Sequence, residues 1–250
     1  MILRVVSSDA RLVMLVVLAL LLSVLLIAGF VTIDRLLGIV RIQAAPSESV
    51  SPSSTLVHES LSSMSRYGFI RNADQVSVIR RRLETAEYVR GEHLLGVLAN
   101  KIGECKSSLW AINDHPFTPF SALVMQKTSP STEVRCINSK PDRLYTQDSI
   151  ERRLRLAQSP TSRYYLMPAE DVHLSLVIFD RSTAILYTTP AGHSVCNYSE
   201  ALFASDPYLL TTLCMLFERI EKLAIGWHRE MGMDASEILK QHLVTVGGGS

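Results

Sequence analysis

The 250-residue chain has no excess charge of either sign, few aromatic residues and no paired-cysteine motif, and each absence removes a class of function. Its 25 Lys and Arg face 24 Asp and Glu. Non-specific binding of a polyanion draws on a surplus of basic side chains, so no nucleic-acid partner is expected, although a local basic patch is compatible with this balance. Aromatics make up 7% of the residues, and Trp110 and Trp227 are too isolated to form a base-stacking platform. Cys105, Cys136, Cys196 and Cys214 contain no C-x-x-C pair and lie in apolar sequence, so they read as buried thiols with no metal or redox centre. A phosphate-cradling glycine loop, a G-x-S-x-G elbow, an H-E-x-x-H pair and an EF-hand ligand series are also missing. No cofactor is expected.

Apolar residues are plentiful at 47%, which excludes a disordered polyelectrolyte. Their distribution is uneven. Leu12 to Val31 is a run of 20 residues without a charge, in which Ser23 is the only hydroxyl. At about 1.5 Å per residue such a helix spans a ~30 Å hydrocarbon core. A cleaved signal also begins with a basic stretch, here Arg4 and Arg11, but its apolar region runs to roughly 7–15 residues. Residues 1–43 therefore read as a retained single-pass membrane anchor. Flanking charge hardly orients it, since Arg35 and Arg41 follow the span and Asp34 offsets them. Arg66, Arg71 and Arg80-Arg81-Arg82 tip the expectation toward a cytoplasmic soluble part. Asn197-Tyr198-Ser199 fits a glycosylation triplet, which matters only in a secretory compartment.

After the anchor, residues 44–65 are rich in Ser, with Pro46 and Pro52, and read as a flexible tether. Residues 66–246 have the composition of one globular domain, and Gly247-Gly248-Gly249-Ser250 looks like an appended linker. Leu94, Leu98, Ile102 and Cys105 mark a buried helical stripe, followed by an apolar run from Ser108 to Ile112. A helix start at Thr118-Pro119, a strand at Glu133 to Ile137 and a charged helix from Asp148 to Ala157 come next. Extended stretches are expected at Arg163 to Met167, Val172 to Phe179 and Ala184 to Thr189, the last two as a hairpin. Ser205-Asp206-Pro207 opens an amphipathic helix through Leu223, and a shorter helix is expected from Asp234 to Val246. The alternation predicts an α/β domain with a mixed sheet flanked by helices.

One stretch carries recognisable chemistry: His173-Leu174-Ser175-Leu176-Val177-Ile178-Phe179-Asp180. It resembles the HxKxxxxD signature of the phospholipase D superfamily, with His173 and Asp180 at the family's separation and Ser175 in place of Lys. The order of elements around Val172 to Ala224 is also similar to the inactive sensor domains of archaeal sugar-responsive transcription regulators. The resemblance implies a phospholipase D-like fold in which His is the nucleophile, Lys neutralises phosphoryl oxygens and Asp orients an imidazole. Ser175 brings no positive charge, and Tyr187-Thr188 stand where the family has a Gly-Ser pair. The motif positions His173, Ser175 and Asp180 are therefore degenerate, and no catalytic residue is expected. A second reading of the same residues stays open: alternation along an apolar strand, with Asp180 as a turn residue.

Three functions follow as expectations. The first is a non-catalytic, membrane-anchored binding or assembly subunit, with the bilayer and either other membrane-complex subunits or a second copy as partners. The second is an anchored phosphodiesterase of phospholipase D or nuclease type using His173. The third is an accessory subunit of a large membrane complex with an unrelated α/β domain. His115 is a weaker candidate, placed after an expected strand where α/β folds bind ligands. Arg80-Arg81-Arg82 and Arg152, Arg153 and Arg155 could meet lipid headgroups, but neighbouring Glu84, Glu87 and Glu151 favour solvated helix faces.

Overall fold

A computed structural model describes residues 54–113, 120–141, 146–172, 174–188 and 200–247. Chain order gives α1 (Ser54–Arg66), α2 (Ala73–Glu84), β1 (Glu87–Arg90), α3 (Gly91–Glu104), β2 (Ser108–Asn113), α4 (Phe120–Lys127) and β3 (Glu133–Ser139). Then follow α5 (Gln147–Ala157), β4 (Ser162–Met167), a 3-10 turn (Ala169–Asp171), β5 (Ser175–Phe179), β6 (Thr183–Thr188), β7 (Glu200–Ala204), α6 (Pro207–Met231) and α7 (Ala235–Gly247). The strands form one sheet in the order β1-β7-β6-β5-β2-β3-β4. β2, β3 and β4 run parallel, with α4 and α5 in the connections, and every other pairing is antiparallel. The expected mixed α/β sheet is therefore present.

Strand alternation divides the core into two layers. Leu174, just before β5, and Leu176 and Ile178 on it join Trp110 and Ile112 beneath α1, α2 and α6. Val177 and Phe179 face the other way, into the layer under α3, α4, α5 and α7. Successive side chains of a strand point to opposite faces, so a strand covered on both sides is buried throughout, as all five β5 positions are.

The helix ends obey capping rules visible in the sequence. Asp206 accepts from the Leu209 N–H at 2.9 Å and Pro207 occupies the first turn, so α6 begins where expected. It runs on past Leu223 to Met231, and Gly232 ends it at φ 66° in the left-handed region.

The tether reading needs correction over its described part, 54–65. Residues 44–53 lie outside the described residues, but Ser54–Arg66 is a helix that places Leu56, Val57, Leu61 and Met64 in the core. Serine-rich composition suggested a linker, but Ser60 and Ser63 are buried too, where small side chains let the helix lie close. Its end is a Schellman closure: Gly68 N–H donates to the Ser65 carbonyl and Phe69 N–H to the Met64 carbonyl. Gly68, at φ 62°, supplies the left-handed residue this closure requires. Strands β1 and β7 are further additions to the sequence reading.

The expected membrane span, Leu12 to Val31, lies outside the described residues. Among those residues no helix is long and apolar enough to cross a membrane. His115, the glycosylation triplet at Asn197, Cys196 and His173 also fall outside them.

Candidate functional site

The register separates the two ends of the motif. Leu176 opposes Ile112 near the carboxyl end of β2, and Phe179 opposes Leu109 near its amino end. Ser175 therefore sits at the carboxyl edge of the parallel strands, where open α/β sheets bind ligands. Asp180 sits at the opposite edge. Five residues of extended chain put about 17 Å between them, so they cannot act on one atom. His173, which precedes Ser175 by two positions, is outside the described residues.

Ser175 is 5% exposed and pairs across the ladder with Tyr187, which is 2% exposed. Farther along the same edge, Asn138, Ser139 and Arg153 are buried. The Arg153 guanidinium donates to the Ser139 carbonyl at 3.4 Å. Arg153 comes from the charged helix whose arginines read as solvated, and that expectation fails at this position because its helical phase turns inward with Ile150 and Leu156. Nearby, burial pushes the Cys136 thiol up to about 12, and the charge of Arg153 only partly opposes this. Such a thiol is an inert core residue at neutral pH.

Asp180 is a structural clamp. Its Oδ1 accepts the N–H groups of Ser107 at 2.7 Å and Ser108 at 2.9 Å and the Ser107 hydroxyl at 2.8 Å. Oδ2 accepts the Lys106 N–H at 2.9 Å, and the Cys105 thiol lies 3.3 Å from Oδ1. Partial burial alone would raise the carboxyl pKa, but these donors outweigh it and hold the group well below the ordinary carboxylate range. The carboxylate thus ties the β5–β6 turn to the loop entering β2. Both carboxylate oxygens are engaged at the turn. Asp180 and Arg181 both have positive φ, 49° and 54°, in the three-residue connection between paired Phe179 and Thr183, where the Ser182 N–H donates to the Phe179 carbonyl at 2.9 Å. Arg181 then lies 4.4 Å over the Trp110 ring.

Two further groups were not legible as functional. Trp110 is stacked on Phe217 at 5.1 Å and faces Arg135 at 4.8 Å, while Arg135 also reaches Glu221 at 3.3 Å. Burial raises the Glu221 pKa, and Arg135 and Arg163 oppose that shift. At the outer edge of β4, His228 Nε2 accepts the Leu166 N–H at 2.9 Å, and Nδ1 lies 2.9 Å from the Met233 carbonyl. This fixes the tautomer with the proton on Nδ1 and caps an otherwise open sheet edge. Among the described residues, no group of three or more His, Cys, Asp or Glu could hold a metal ion.

The described part of the chain is thus a three-layer α/β domain with a mixed sheet. No protein-family model matches the sequence, and a comparison with curated proteins finds no match. Among solved structures, the chain is similar to NucT from Helicobacter pylori at 13% identity and a TM-score of 0.44, covering 54% of this chain and 94% of that one. It is similar at the same score to TrmBL2, an archaeal chromatin protein, at 11% identity over 67% of this chain and 64% of that one. A third likeness is to Nuc, a phospholipase D family member from Salmonella typhimurium, at 12% identity and a TM-score of 0.41, over 50% and 84% of the two chains. At these scores none of the likenesses carries a function over to this chain.

Proposed function

We propose that the chain is a non-catalytic, membrane-anchored binding or assembly subunit whose folded part is a degenerate phospholipase D-like domain. Its partners are the bilayer and either other subunits of a membrane complex or a second copy of the chain, with the folded part on the cytoplasmic side. No cofactor and no nucleic acid enter this reading.

The observation that carries it is the environment of Ser175. The resembling motif places a cation there to meet charge developing on phosphoryl oxygens. Here the position holds a hydroxyl, 5% exposed and across from buried Tyr187. Loss of a charged donor aimed at a transition state costs about 3 kcal/mol, roughly a hundredfold in rate. The engagement of Asp180 with residues 105–108 is in keeping with a motif retained for folding.

Hydrolysis of bis(p-nitrophenyl) phosphate by the full chain tests the reading. Wild type is expected to show no turnover beyond that of His173→Ala. Wild-type turnover that disappears in this variant would replace the reading with the phosphodiesterase. Anchoring is tested by alkaline carbonate extraction of membranes, in which the chain is expected to stay in the pellet. Identification of co-purifying chains separates subunits of a larger complex from a self-associated form.

A further inference from the structure

A groove on the side of the sheet away from Ser175 has features of a ligand site. Its walls are the carboxyl end of α1, the segment at the end of β4, and about three turns of α6. Its volume is about 730 Å³, within the range of small-molecule sites. The Tyr67 hydroxyl donates to the Asp171 carbonyl at 2.9 Å, which ties two of the walls together.

Its chemistry is polarised along α6. Arg219 and Lys222 are exposed on the lining, and neither side chain makes an ion pair or hydrogen bond among the described residues. Arg219 reaches over Gly68, with its Nη2 3.3 Å from the place a Cβ would occupy. A cation is favoured at the carboxyl end of α1, but the helix end offers only about half a charge. One to two turns farther along α6 the lining becomes apolar, with Leu223 49% exposed and Trp227 beside it. Gly226 leaves open space between them, since nothing lies within 4 Å of a Cβ built there. Glu230, one of two acids on the lining with Asp171, is eleven residues from Arg219, about 16 Å along the helix.

We propose that this groove binds an anionic amphiphile with a single hydrocarbon chain, its phosphate or carboxylate head between Arg219 and Lys222 and its tail over Leu223, Gly226 and Trp227. Two unpaired cations at one end of an apolar trough match a charged head and a tail, and match neither a bare anion nor a neutral apolar molecule. The proposal is independent of the reading of the His173 motif. Headgroup and tail can come from a membrane lipid or from a soluble acyl or alkyl anion, because the recognising chemistry is the same.

Tryptophan emission of the full chain in phosphatidylcholine nanodiscs, titrated with n-octyl phosphate, tests it. Trp110 is 1% exposed in the core, so the response is assigned to Trp227 by its loss in Trp227→Phe. A saturable response is expected with octyl phosphate, and none at equal concentration with octyl glucoside or inorganic phosphate. Arg219→Gln with Lys222→Gln should weaken binding at least tenfold. Gly226→Leu should block it with an unchanged far-ultraviolet circular dichroism spectrum, because space for the side chain exists. Equal responses to octyl glucoside and octyl phosphate would overturn the proposal, as would wild-type affinity in the folded double variant. Competition from lysophosphatidic acid in the discs assigns the ligand to the membrane, whereas saturable octyl phosphate binding unaffected by lysophosphatidic acid assigns it to a soluble amphiphile.

Discussion

Asp180 provides the sharpest test, because its role follows from contacts that its motif position does not suggest. Removal of its carboxylate in Asp180→Ala leaves the N–H groups of Lys106, Ser107 and Ser108 and the Ser107 hydroxyl without their acceptor. Hydrogen bonds to a charged group contribute about 1.5–3 kcal/mol each. Lys106 and Ser107 are exposed, so water replaces much of what is lost and about 1 kcal/mol for each backbone bond is the appropriate scale. The expected destabilisation is about 3 kcal/mol, or about 6–12 °C in Tm for a domain of this size. Urea and thermal unfolding of the full chain in detergent, followed by circular dichroism, measure it. Asp180→Asn should fall between alanine and wild type, because it keeps one acceptor oxygen without the charge. The pH dependence has a definite sign. The folded carboxyl is held below its ordinary value of 3.8, so its contribution is present in full above that value and declines as pH falls toward the folded value. The stability gap between wild type and Asp180→Asn should therefore narrow below about pH 4. An alanine variant within about 0.5 kcal/mol of wild type, the range of ordinary surface substitutions, would refute the clamp.

Met64→Ala tests the place of α1 in the core: Met64 is fully buried, and its truncation should cost about 3 kcal/mol, whereas a tether residue would cost almost nothing. Gly68→Ala should cost about 1 kcal/mol and lower the urea midpoint, because an L-residue is strained at φ 62° and its Cβ would press on Arg219; an unchanged midpoint would contradict the Schellman closure. His228→Ala should lower stability by about 1–2 kcal/mol and speed hydrogen exchange at the Leu166 amide while leaving Val177 in the central strand protected. Unchanged exchange at Leu166 would show that the imidazole does not cap the edge.

What could be read from the sequence depended on how local each cause is. The stripe through Leu94, Leu98 and Ile102 and the Asp206-Pro207 start of α6 carry their signal within a turn or two of helix, and both elements form as expected. The β5–β6 hairpin was also visible, because two apolar strands flank a short polar turn. Strand β7, with Ala201, Leu202, Phe203 and Ala204, lacks a β-branched residue, and it exists because β6 and β1 pair with it from both sides. That cause is tertiary, since strand propensity is mostly packing against neighbours. Helix α1 differs in that the apolar spacing of Leu56, Val57, Leu61 and Met64 was present but obscured by serine. Composition estimates the average cost of burial, whereas the face of a helix decides whether particular residues bear it.

The same distinction governs the candidate site. The motif's spacing was legible, but its meaning depended on residues far away in sequence. Asp180 binds a loop more than 70 positions earlier, and Ser175 is covered by a partner strand whose register the motif does not encode. An eight-residue pattern specifies which side chains share a strand face, and here two of its members are placed at opposite edges of a sheet. Because β5 is buried on both faces, its alternation contributes to folding at every position, whatever the chemistry at its amino end. The presence of Asp180 at this position is accounted for by its contacts at the turn, and catalysis would have to be demonstrated through His173 rather than inferred from the spacing of the pattern.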